Sequence, residues 1–465
     1  MKTINRKPLF LALAGVTALG AVGTAQAISV NPTGLGSVLL YPYYTVKGTP
    51  NAYNTLISIV NTTASTKAVK IRFREGKAST EVLDFNIFLS PYDMWTASLE
   101  PSATGGVKLF TADSSCTIPT VPAAGVEFRN SLYSGDAAND GSLARLREGY
   151  FEVIEMATYD DGSTIAVNSK HGSNRIPKDC SKVTNDAAAA EARPLQGGLS
   201  GTASLVSPGT GFNAATDPTA MVNYRVESIY KDTNTIAPDL RDSDPWATTA
   251  TSDGNTVWSG WVLGEDAASA ALMKNAIINE FVLDAGTASA TDWVVTFPTK
   301  GFYVAANGGG VLPPFQSRLT PNGSCDEIIL TTWDREEQTK QPGGPDFSPA
   351  PEADKVRLCW EANVLTFNGK NIFSSTNTLS VATLFQNGWA RMDFHFGLEG
   401  LDLIAPDAVF IDQAKDGFPS TFGSSGTFTG LPVIGFAVQT FQPSLTSSFA
   451  GTFYHRYVPG TPSDE

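Results

Sequence analysis

Four cysteines, three histidines, two acidic clusters and a close pair of tryptophans are the residues of this 465-residue chain whose types and spacing could do chemistry. Cys116, Cys180, Cys325 and Cys359 contain no Cys-x-x-Cys pair. They therefore suit two disulfides in an oxidising compartment better than a four-sulfur zinc site. Four cysteines allow three pairings; 116–180 and 325–359 are favoured because each closes a loop within one neighbourhood. No two of His171, His395 and His455 stand at metal-ligand spacing. A hydrolytic serine would need a base and an orienting acid, and no Gly-x-Ser-x-Gly elbow marks one. Gly198-Leu199-Ser200-Gly201 and Gly423-Ser424-Ser425-Gly426 both lack that spacing. Gly308-Gly309-Gly310 carries no following Lys-Ser/Thr, so it is no phosphate loop.

The carboxylates are more numerous than informative. Glu152 and Glu155 fall on opposite faces of an expected strand, and Glu336 and Glu337 adjoin Arg335. Neither pair is placed to flank a glycosidic bond. Calcium takes oxygen ligands from loops, and two places offer them. Asp136, Asn139 and Asp140 precede Gly141 much as in an EF-hand loop, although Ala138 and Arg147 stand where ligands belong. Asp239, Asp242 and Asp244 form the second cluster. The plainer reading of both is a solvated turn in which Asp bonds nearby backbone. Calcium is thus the one candidate cofactor. Trp258 and Trp261, three residues apart in a polar stretch, are candidate sugar-stacking aromatics, as is the Tyr41, Tyr43 and Tyr44 cluster. Burial in a core is the commoner fate of such rings.

Whatever presents these residues is exported. Lys2, Arg6 and Lys7 precede a short apolar run over 9–23, and Thr24-Ala25-Gln26-Ala27 supplies a small-x-small cleavage pattern. This predicts a signal peptide over 1–27 and a mature chain beginning at Ile28. No Cys stands directly after the cleavage point, where Ile28 is found, and no later apolar run is long enough for a transmembrane helix. The net charge of −14 becomes more negative on processing, because the charged residues of the excised segment, Lys2, Arg6 and Lys7, are all basic. Such acidity argues against a nucleic-acid partner, since phosphates need a basic surplus.

The elements read as strands. Val69, Ile71 and Phe73 alternate with Lys70, Arg72 and Arg74, a period-two pattern with one wet face. Leu83, Phe85, Ile87 and Leu89 repeat it, as do Trp95, Ala97 and Leu99. With turn residues between them, 53–100 is predicted to be a four-strand antiparallel meander. Further strands are expected at 150–156, 201–206, 224–230, 293–297, 327–333, 356–367, 389–394, 432–441 and 451–457. Two helices are expected. One covers 183–193, rich in Ala; the other covers 266–283, where Met273, Ile277 and Phe281 recur at four-residue steps. The fold class is all-β, an antiparallel β-sandwich (Ig-like or jelly-roll-like) with long loops and one or two short helices. It divides into a sandwich region over 28–310 and a β-rich region over 311–465 that can belong to the same sandwich.

Several segments are similar to one family. They are Arg147-Glu148-Gly149-Tyr150-Phe151-Glu152-Val153-Ile154-Glu155-Met156, Thr291-Asp292-Trp293-Val294-Val295-Thr296-Phe297-Pro298-Thr299-Lys300, Trp333-Asp334-Arg335-Glu336-Glu337 and Gly430-Leu431-Pro432-Val433-Ile434-Gly435-Phe436. Together they resemble a group of exported proteins of Gram-negative bacteria, over most of the mature chain. The resemblance implies an extracytoplasmic all-β protein and supplies no catalytic residues. The expected function is a non-catalytic structural or adhesive one at the cell surface or outside the cell, through self-association or an envelope polysaccharide. The alternatives are a secreted carbohydrate-binding or carbohydrate-active protein and a periplasmic ligand binder.

Overall fold

The computed structural model describes residues 27–251, 255–304, 311–339, 355–394, 402–411, 424–444 and 447–461. The expected signal peptide up to residue 26, the Gly308-Gly309-Gly310 triplet, His395, Gly423 and the proline-rich stretch 340–354 lie outside them. The fold is mostly β, with 46% strand and 10% helix.

Alternating strands bury one face each, and here they do so in a sandwich. Seven strands form one sheet, in the order Ser29–Val30, Thr219–Val222, Val38–Thr45, Glu148–Tyr159, Thr66–Glu75, Glu81–Leu89 and Thr117–Ile118. Six form the facing sheet: Phe212–Thr216, Leu199–Ser207, Asn54–Asn61, Met94–Pro101, Val107–Phe110 and Val126–Glu127. Ile71, Phe73, Phe85 and Phe151 from the first meet Ile57, Ile59, Trp95 and Leu99 from the second in a single core. The four strands expected between 53 and 100 are present, but not as a meander. The first pairs with the fourth (Thr55 opposite Leu99), and the second with the third in the other sheet (Ile71 opposite Phe85). Both crossings between sheets run side by side and are stitched by Asn61, whose N–H donates to Asp93 O at 2.9 Å and whose amide donates to Ser90 O at 2.9 Å.

Strand Thr66–Glu75 is buried along its whole length, so its predicted wet face is not wet. The irregular segment 223–245, where a strand over 224–230 was expected, lies across that face. Lys70 donates to the carbonyls of Asp232 and Ala237 at 3.1 and 2.9 Å, and Arg72 to that of Ile236. Cations read from sequence as solvated are instead the anchors of a covering loop.

Among the described residues beyond 245, three more sheets form. Trp246–Ala250 and Thr256–Gly260 join Leu403–Ile411 and Ser424–Phe428. Met273–Val282 lies between Asn387–Asp393 on one side and Leu431–Pro432 and Arg456–Pro459 on the other, with Asp326–Asp334 and Lys355–Leu358 beyond. Ala290–Thr296 lies between Ala362–Phe367 and Ile434–Ser444, with Thr378–Val381 and Ser447–Tyr454 at the edges. Each of these sheets combines strands from both sides of residue 310. One core also runs through both regions, from Ile28, Val38 and Met221 to Trp293, Phe367 and Ala437.

The helix expected over 183–193 is found as Asn185–Glu191, with the Thr184 hydroxyl accepting from Ala187 N. The one expected over 266–283 is half right. Gly264–Leu272 is helical, but Met273–Val282 is a strand. A four-residue repeat keeps side chains on one face of a strand as well as of a helix, and the β-branched Ile277 and Ile278 favour the strand.

Candidate functional site

The strand that replaces the expected helix carries the candidate site. Lys274 is its second residue, and both Leu431 and Pro459 are its partners across the backbone. Tyr457 enters from Arg456–Pro459, and Tyr454 from the end of edge strand Ser447–Tyr454. These side chains, with the turn at Pro32–Gly34 and the segment Asp217–Ala220, line a cleft of about 380 Å³. That lies within the range of small-molecule sites, roughly 300–1,000 Å³.

The Lys274 ammonium stands 3.9 Å from the centroid of the Tyr457 ring. Burial lowers its pKa to about 8. Among the described residues no carboxylate forms an ion pair with it, and desolvation is the whole cause of its shift. Tyr457 and Tyr454 are 51% and 58% exposed, so both rings reach solvent from the cleft wall. The Tyr454 hydroxyl accepts from Asp217 N at 2.9 Å, and burial pushes its pKa up to about 12. His455 sits between them and points inward. Its Nε2 lies 3.0 Å from Val294 O and its Nδ1 3.1 Å from the Asn279 amide, while burial lowers its pKa to about 4. Those partners assign the neutral imidazole with the proton on Nε2, so His455 fixes the strand end that presents the two tyrosines. A cation without a counter-ion beside an aromatic ring can take an anion.

The other candidates from sequence are placed differently. Cys116–Cys180 and Cys325–Cys359 are the two disulfides, the favoured pairing. Asp136, Asn139 and Asp140 do come together, but around a guanidinium: Arg145 reaches Asp136 at 2.6 Å, Glu75 at 2.7 Å and the Asp140 carbonyl at 3.1 Å. Asn139 turns the chain with φ of 49°, and the Asp140 carboxylate meets Lys77 at 2.8 Å. The second cluster caps a turn. Asp239 holds Arg241 at 2.7 Å, Asp242 accepts from Asp239 N, and Asp244 accepts from Val226 N. Arginine thus engages Asp136 and Asp239, and backbone N–H groups engage Asp242 and Asp244, the plainer reading of a turn; among the described residues no three His, Cys, Asp or Glu groups are gathered to hold a metal ion.

Trp261 is only 8% exposed and packs on Phe428, while Trp258 is half-buried on its strand, so the pair makes no open platform. Tyr41, Tyr43 and Tyr44 are fully buried. Glu152 binds Arg74 at 2.9 Å and Glu155 binds Lys67 at 2.6 Å, both inside the fold. Glu336 is exposed beside Arg335. His171 has Asp93 at 3.4 Å from Nδ1 and Ser114 at 3.4 Å from Nε2, the order of a hydrolytic triad. The Ser114 hydroxyl, however, donates to Arg175 O at 3.2 Å, which directs its proton away from the imidazole.

No protein-family model, curated protein or solved structure matches the chain. The site therefore stands on its own geometry. Lys274 was not singled out from sequence, because the 266–283 pattern read as a helix and so hid the strand pairing that sets Lys274 beside Tyr457. The signal that could have found it is a lone Lys just ahead of the β-branched pair Ile277-Ile278.

Proposed function

We propose that the protein is exported and acts at the cell surface or outside the cell as a non-catalytic structural or adhesive protein. The observation that carries this reading is the pair of disulfides, each fastening a surface segment, since such bonds persist in oxidising compartments. Among the described residues no helix is long and apolar enough to cross a membrane. The predicted signal peptide and the resemblance to exported Gram-negative proteins belong to the same proposal. The internal pairing of charges agrees with a presenting role, because Glu75, Glu148, Glu155 and Asp326 are engaged by Arg145, Lys47, Lys67 and Lys300. Surface labelling of intact cells tests it. The protein is expected to be labelled without permeabilisation; labelling only after lysis of the inner membrane would contradict a surface address.

A carbohydrate-binding role is the second reading, and the Lys274 cleft favours it. An isolated cation flanked by exposed tyrosines is how a saccharide bearing negative charge would be met.

A further inference from the structure

We propose that the cleft around Lys274 binds a carboxylate-bearing saccharide, a uronic-acid unit of an envelope polysaccharide, with the ammonium on the carboxylate and the Tyr457 and Tyr454 rings against the sugar. This deepens the surface-binding reading above and rests on it.

Three observations converge. The ammonium is a point charge on a half-buried stem, fixed in a strand with paired neighbours on both sides and unpaired among the described residues. A cation without a carboxylate partner, in a chain whose net charge is −14, attracts an anionic ligand. The tyrosines offer apolar faces with polar tips, which suit the mixed C–H and hydroxyl surface of a sugar ring. The Tyr454 hydroxyl accepts from Asp217 N, which holds its ring at the cleft wall. Finally, the cleft is concave and built from five separate chain segments, whereas the larger hollow beside Glu81 and Asp84 has those acids paired with Arg72 and Lys70. A phosphate-selective site would be expected to use a bidentate arginine or several backbone N–H groups. Here a lone ammonium beside aromatic rings matches the single negative charge of a sugar carboxylate better than a phosphate dianion, which calls for more donors.

The test is calorimetric titration of the mature, oxidised protein with oligogalacturonate, with a neutral oligoglucan and inorganic phosphate as comparison probes. Oligogalacturonate should bind and the other two should not. Lys274→Gln should weaken binding about tenfold or more, as loss of a charge-assisted bond does. Lys274→Arg should retain most of it, and Tyr457→Ala should weaken it several-fold. Thermal melts of each variant check that the fold persists, and the arginine variant separates lost charge from lost folding. Raising the pH from about 7 to about 9.5 should also weaken binding, as Lys274 loses its proton near 8. The other groups facing the cleft are Asp217, Tyr454, His455 and Tyr457; burial moves Tyr454 up to about 12 and His455 down to about 4, outside that window. No binding of oligogalacturonate, equal binding of the neutral glucan, preferential binding of phosphate, or binding unchanged in Lys274→Gln would each overturn the assignment. A protein found at the cell surface that fails this titration loses its ligand but keeps its address, so the two readings fail separately.

Discussion

Arg145 holds Asp136 at 2.6 Å, with its own side chain fully buried, and so fills the place that the acidic loop spacing offers to a metal ion. The same guanidinium closes on Glu75 at 2.7 Å and lies over the Tyr133 ring. A buried charge in this position is costly unless paired. Arg145→Met should therefore leave Glu75 and Asp136 facing each other without a cation and cost about 3–5 kcal/mol. Urea denaturation of the variant against the parent measures it; a change under about 1 kcal/mol, the scale of an exposed pair, would contradict the assignment.

Because arginines occupy both acidic clusters, divalent cations should not support the fold. Melting curves in excess chelator and in millimolar calcium are expected to superimpose. A clear rise in melting temperature with calcium would reveal binding to the native state and would restore the cation to one of those loops.

Glu361 is fully buried, and among the described residues its Oε2 has no hydrogen-bond partner. Desolvation raises its pKa to about 8, against the opposing pull of Lys300. The folded state thus holds this proton more tightly than the unfolded chain does. The stability linked to it is fully present below the unfolded value near 4.5 and is lost as pH rises through about 8. Glu361→Gln keeps the shape without the charge. It should match the parent near pH 4 and exceed it near pH 9, as read by denaturant midpoints at both. Equal midpoints at pH 9 would show that Glu361 does not titrate in this way.

The disulfides close separations of 64 and 34 residues. In the chain-entropy account each stabilises by about 4 kcal/mol, slightly more for the longer loop. Double Ser variants of each pair should lower the denaturation midpoint accordingly. A variant lacking Cys116–Cys180 that unfolds at the parent's midpoint would show that this bridge does not constrain the unfolded chain.

The alternation at Val69, Ile71 and Phe73 located a strand and its core face correctly, because period two is a local property of sequence. It could not reveal that Lys70 and Arg72 are covered, since their cover, the segment 223–245, reads as polar loop and binds through its carbonyls. Pairing was lost in the same way: nothing local in Asn54–Asn61 says that its partner is Met94–Pro101 rather than its neighbour in sequence. The disulfide partners were legible from proximity along the chain. The cleft was not, because Lys274, Asp217 and Tyr457 come from distant segments and the Met273–Val282 repeat fits two periodicities at once.

The most direct test of an exported, disulfide-held surface protein is the intact mass of the protein recovered from the outside of the cell. The account predicts a chain that begins at Ile28, with all four cysteines oxidised and no free thiol. Recovery of a chain that retains its first 27 residues, in the cytoplasm and with its cysteines reduced, would contradict it.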